Sequence, residues 1–278
     1  MYSIIYGMLI MWFILTFGSL VLLVFDLATN TPTSKVMKLA WILVVLYTGP
    51  VGLTLYFLSC RQPLPNTHDQ FISPHWKQAV GSLLHCVAGD ATGIIISAVI
   101  VYHFRLPNGI DLIIEYISAF IVGLFIFQAL FMLVMYNNDY LLAVKKTFFA
   151  ETVSMNMVMV GMIPAMVVLM HFLPNAGNPK ELLFWGVMSV ATMVGMITAY
   201  PINSWMVRKG LKHGMMSAIP KSHSKEKMDM SMSMDDKKEH NHKVQILSKS
   251  QVAKVLIGTF AILLLVLWIT DMFAPINI

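Results

Sequence analysis

Charge is scarce in this sequence. Only 12% of its 278 residues are Asp, Glu, Lys or Arg, against roughly 25% in a soluble domain. No charged residue or histidine precedes Asp26. An ordinary water-soluble globule is therefore excluded. Other absences narrow the chemistry. There is no Gly-rich phosphate loop, no Gly-x-Ser-x-Gly, no His-Glu-x-x-His and no internal repeat of 20 to 50 residues. No set of nucleophile, base and orienting group is apparent, so no enzyme is read. Cysteine is limited to Cys60 and Cys86, which fall at different depths, and no disulfide between them is expected.

Apolar residues make up 57% of the chain and the mean hydropathy is +0.71. A helix crossing a bilayer needs about 20 consecutive apolar residues, because the backbone must satisfy its own hydrogen bonds there. Seven such stretches run approximately Ile4 to Phe25, Leu39 to Cys60, Ala79 to Phe104, Ile113 to Tyr136, Phe148 to Phe172, Leu182 to Val207 and Val255 to Phe273. The expected fold is an all-α polytopic membrane bundle of about seven transmembrane helices. Residues 1–216 form helices 1 to 6, 217–247 a disordered Met- and His-rich connector, and 248–278 helix 7. The first stretch lacks a basic n-region and is too long for a signal peptide.

Orientation follows from Lys and Arg, which cytoplasmic connectors retain in excess. With seven crossings and a cytoplasmic amino terminus, 15 of these residues fall inside and four (Lys35, Lys38, Arg105 and Lys180) outside. The expectation is a multi-pass protein of the inner (cytoplasmic) membrane, N-terminus inside and C-terminus outside. Without the connector from helix 6 to helix 7 the count is four against four. One connector thus decides the matter. The pI near 9.1 reflects basic residues beside apolar spans rather than a basic and aromatic stripe, so no nucleic-acid partner is read. Expected partners are the lipid bilayer and a metal ion, and a homo-oligomer is a possible assembly.

Helix 3 carries the densest polar signal. Ser82, His85, Cys86, Gly89, Asp90, Thr92, Gly93 and Ser97 share one sector, while Leu84, Val87, Ala91, Ile95 and Ala98 take the opposite side, which is expected to meet lipid. A carboxylate near the bilayer middle costs on the order of 2.5–3.5 kcal/mol, so Asp90 must be neutral, paired, hydrated or bound to a cation. The bland reading is that the small residues allow close helix packing and Asp90 bonds to a neighbour. His85, Cys86 and Asp90 offer imidazole, thiolate and carboxylate to one metal. Helix 5 adds a face of Glu151, Met155, Met159, Met162, Met166 and Met170. Thioethers suit Cu(I) or Ag(I), although Met also fills irregular cores. Asn156 and Asn203 extend the polar interior.

The connector alternates Met228, Met230, Met232 and Met234 with small polar residues and then presents His240 and His242. Solvated Met gains nothing from burial, so packing does not explain the run, whereas a tether for a soft metal does.

Two segments, Leu84-His85-Cys86-Val87-Ala88-Gly89-Asp90-Ala91-Thr92-Gly93 and Tyr200-Pro201-Ile202-Asn203-Ser204-Trp205 through Arg208-Lys209-Gly210 to Met215, resemble a family of prokaryotic polytopic membrane proteins catalogued as domain of unknown function forty-three ninety-six. The resemblance runs roughly from helix 2 to the end of helix 6. It implies a helical membrane domain and no defined activity, and it gives the Met and His tract no support.

The leading expectation is binding and transport of, or tolerance to, a soft metal, with a copper ion as the candidate cofactor. The metal candidates are His85, Cys86, Asp90, Met155, Met159, Met228, Met230, Met232, Met234, His240 and His242. The alternative is a proton- or ion-coupled small-solute transporter using Asp90 and Glu151, with Asn156 and Asn203 in its polar core. A membrane oxidoreductase ranks low, since His103 and His171 lie near span ends. A retinal protein is excluded because helix 7 has no mid-span Lys.

Overall fold

The structure is a computed structural model that describes residues 2–215 and 248–276. It shows the all-α polytopic bundle. Its helices are α1 (Tyr2–Thr29), α2 (Lys35–Ser59), the short α3 (His68–Ile72), α4 (His75–Val101), α5 (Asn108–Ile121), α6 (Ala129–Met132), α7 (Tyr140–Phe172), α8 (Leu182–Arg208) and α9 (Lys249–Phe273). A π-helical stretch, Val122–Gln128, joins α5 to α6. Seven helical runs among the described residues are long and apolar enough to cross a membrane. Polar side chains start several of them. Ser34 caps α2, Asp139 caps α7 and a Ser248–Gln251 capping box opens α9.

One of the seven doubles back on itself. The expected second span is a hairpin, because Gly49 takes φ 56°, ψ −134° inside α2 and is followed by Pro50. The Trp41 and Tyr56 rings lie 5.1 Å apart, whereas 15 residues of straight helix would separate them by roughly 22 Å. At the tip, a Cβ on Gly49 would stand 2.5 Å from Thr16 Oγ1, near the middle of α1. At the mouth, Asp26 accepts from Tyr56 Oη at 2.5 Å and from Arg61 Nε at 3.0 Å, so both hairpin ends meet the end of α1.

The neighbours agree. Tyr6 donates to Glu181 and Leu9 packs against Gly186, so α1 runs parallel to α8. His75 meets Ser204, so α4 begins where α8 ends. We call that side the near face. It holds the end of α1, both ends of α2, the starts of α4, α7 and α9, and the end of α8. The starts of α1 and α8 and the ends of α4, α7 and α9 lie on the far face. The start of α1 and the end of α9 share one face of the bundle, because α2 returns to the side it left. The connectors redistribute accordingly. Among the described residues, Arg105 and Lys180 belong to the far face and the other 11 Lys and Arg to the near face.

Helix α4 sits at the centre. Leu84, Val87 and Ala91 are fully buried and Ile95 is 6% exposed, so the side of this helix expected to meet lipid meets protein instead. Periodicity separates two faces of a helix, but lipid and protein interiors are equally apolar. Along α4, Gly93 meets Ser118 and Ala119, while Gly89 meets Gly123 and Phe127, which sets α5 and the π stretch close against it.

Because an L-residue in the left-handed region costs roughly 1–2 kcal/mol and a Cβ at Gly49 would strike Thr16, Gly49→Val is expected to lower the unfolding midpoint, read by circular dichroism in detergent. Gly7→Ala, with open space around it, should leave that midpoint unchanged. Accessibility tags placed at Asn66 and at Ser248, the cap of α9, should label from the same side.

Candidate functional site

The polar residues of α4 and α7 meet inside the bundle, and a lysine that follows α8 joins them. Cys86 Sγ donates to Glu151 Oε2 at 2.7 Å. Lys212 Nζ donates to Cys86 Sγ and, at 3.0 Å, to Asn203 Oδ1. It also lies 3.7 Å from Glu151 Oε2, with both side chains almost wholly buried. Asn203 Nδ2 donates to Ser154 Oγ at 2.8 Å. Lys212 reaches this position because α8 stops at Arg208 and Gly210, at φ 69°, turns the chain back. Burial alone would lower the Lys212 ammonium, but Cys86 and Glu151 outweigh it and hold it above its ordinary 10.5. It therefore stays charged at any physiological pH.

Deeper by one turn of α4, Asp90 is fully buried. A Cβ at Gly123 would lie 2.5 Å from Asp90 Oδ1 and 2.7 Å from Glu151 Oε1. The two carboxyl groups thus face the same space, left open by the missing side chain of a π-helical glycine. π-bulges recur at functional sites. Both oxygens of Asp90, Oε1 of Glu151 and both ring nitrogens of His85 are buried with no hydrogen-bond partner among the described residues. The polar column continues through Tyr116, which donates to Asn156 Oδ1 at 2.7 Å, and Asn156, which donates to Thr259 Oγ1 at 3.2 Å.

Of the expected residues, Cys86, Glu151 and Asn203 join one hydrogen-bonded cluster, and Asp90 shares the space beside Gly123 with Glu151. His85 is set against Phe131, ring centroids 3.6 Å apart. Met155 and Met159 are fully buried in the apolar core, one and two turns beyond Glu151. Met228, Met230, Met232, Met234, His240 and His242 lie outside the described residues. Among those described, no three of His, Cys, Asp and Glu are placed to hold a metal ion. Sequence reading missed Lys212 and Gly123. Lys212 follows the last apolar residue of its span and reads as a loop cation, while Gly123 reads as one more small residue.

Removing one member of a buried ion pair costs about 3–5 kcal/mol. Lys212→Met is expected to destabilise strongly, and the double variant Lys212→Met/Glu151→Gln to recover much of the loss, read as unfolding midpoints in detergent. Since the folded-state value of Lys212 is raised, its contribution is fully present below its ordinary 10.5 and lost only as pH rises through the raised value.

No curated protein and no solved structure matches the chain. Residues 75–212 match the model of one family, and that stretch runs from the first residue of α4 to Lys212, enclosing the whole cluster and excluding the Met and His tract. Across it the chain belongs to the family described as Domain of unknown function (DUF4396).

Proposed function

We propose that this protein is an ion-coupled membrane transporter of a small solute, in which Asp90 and Glu151 carry the coupling proton or monovalent cation. One observation carries the reading: a fully buried site holds two carboxyl groups and a single ammonium, Lys212. Charging both acids leaves one negative charge uncompensated at low dielectric, which costs several kcal/mol. One proton or one monovalent cation beside Gly123 balances the site, and its arrival or departure changes the charge of the bundle interior. Two further features support the reading. The re-entrant α2 and the π-helical segment interrupt regular helix inside the bundle, and interrupted helices are where transporters bind and move their cargo.

The near face, with 11 of the 13 Lys and Arg among the described residues, is read as cytoplasmic. On this reading the start of α1 and the end of α9 are outside. Leaving out the connector between α8 and α9, the basic residues now divide six to two, so the assignment no longer hangs on one loop. The membrane is the cell's inner membrane.

Uptake into vesicles is expected to rise with an imposed proton or cation gradient and to lose that dependence in Asp90→Asn and in Glu151→Gln. Uptake that stays gradient-dependent in both variants refutes the proposal.

Soft-metal binding is a second reading. It is favoured by the face of α7 on which Met155, Met159, Met162 and Met166, all buried, continue the line of Glu151. Titration of purified protein with Cu(I) should then show a stoichiometry that falls when Met228, Met230, Met232 and Met234 are changed to Ser. An unchanged stoichiometry removes the tract from the site.

A further inference from the structure

A cavity of about 390 Å³ opens at the far face between α5, α7 and the residues that follow α9. Asp111 and Glu115 form one wall, Met166 and Met170 the opposite one, His171 lies exposed at the rim, and Pro275 helps close the end. Glu115 is 7% exposed, lines this space, and its Oε2 has no hydrogen-bond partner among the described residues. Asp111 Oδ1 is also buried and unpartnered. Two carboxylates four residues apart on one helix repel each other. The two ion pairs among the described residues, Asp26–Arg61 and Lys212–Glu151, involve neither.

The geometry points to a binding site for a small organic cation. We infer that an alkylammonium head takes the Asp111 and Glu115 carboxylates while its apolar body covers the Met166 and Met170 thioethers. Three observations choose this ligand class. Charge selects a cation, since the one wall with polar acceptors is doubly acidic. Size selects an organic one, because the volume falls in the range of small-molecule pockets, about 300–1,000 Å³, far above the space of a bare ion. Donor placement agrees, because no three of His, Cys, Asp and Glu among the described residues converge to chelate a metal. The binding step stands by itself. That the bound amine is also the transported solute rests on the transport reading above.

The test is calorimetric titration of the full chain in nanodiscs with n-butylammonium chloride, beside n-butanol and manganese chloride. Expected are saturable binding of n-butylammonium, none of n-butanol, and affinity weakened about tenfold or more in Asp111→Asn and in Glu115→Gln, the loss of one charge-assisted contact of roughly 1.4 kcal/mol. Gly7→Ala, outside the cavity and with open space around it, should bind within about twofold of wild type. No binding of n-butylammonium to wild type overturns the inference, and so does binding that both carboxamide variants retain. Manganese binding that those variants lose, without competition from the amine, overturns it in favour of an inorganic-ion site. Amine binding as expected with uptake insensitive to Asp90→Asn leaves the site standing and removes only the coupling.

Discussion

Two carboxyl groups and one ammonium share the interior of this bundle, and much of the local architecture follows from keeping that ammonium there. A lysine cannot reach the centre from the surface end of α8 unless the chain turns back at once, and Gly210 at φ 69° makes the turn. The returning segment then has to lie flat against α4. It does so because two positions have no side chain: a Cβ on Gly81 would stand 2.2 Å from Met215 Cγ, and one on Gly214 would stand 2.2 Å from Gln78 Oε1. A third glycine, Gly123, leaves the space into which Asp90 and Glu151 point. Glycine here is a condition for bringing charges together rather than for flexible loops.

The hairpin is the part of the fold that hydropathy misreads, for a definite reason. Counting apolar residues measures the length of a stretch and says nothing about its direction. Lys35–Ser59 is long enough to cross, and its reversal is confined to Gly49 and Pro50. The seven apolar stretches, their connectors and the all-α class were legible because each depends only on composition along the chain. A warning was present in the charges. With Lys35–Ser59 read as a crossing, the basic residues outside the long connector divide evenly, four against four. Once α2 is folded back, Lys35 and Lys38 join the side that already holds Arg61, Lys77, Lys145 and Lys146. Tyr56 and Arg61 meeting Asp26 show the same thing in atomic detail.

The site divides in a similar way. Asp90 and Glu151 were legible because an acid in an apolar span demands a partner, and Cys86 because it shares their face. The partner was not legible. Lys212 has the sequence surroundings of a solvated loop cation, and only the backbone turn at Gly210 converts it into a core residue. Glu115 carried the same signal as Asp90, an acid inside an apolar stretch. Its place one turn from Asp111 near the start of that stretch gives it the look of a surface residue, whereas the structure buries it against the cavity at the far face.

The methionines of α7 acquire a meaning from where they lie between these two acidic centres. From Asn156 to Met166 the inward face of α7 presents Met159 and Met162, both fully buried, and no group that carries a charge or a proton. The central cluster is separated from the far-face cavity by this layer, and from the near face by the segment that delivers Lys212. Branched side chains would fill the same volume but hold it in fixed rotamers. An unbranched thioether adapts its shape at little cost, so a Met layer fills the irregular space between the two acidic centres without needing a polar partner. That packing is independent of metal binding, and it accounts for the buried methionines of α7 from their place in the core alone.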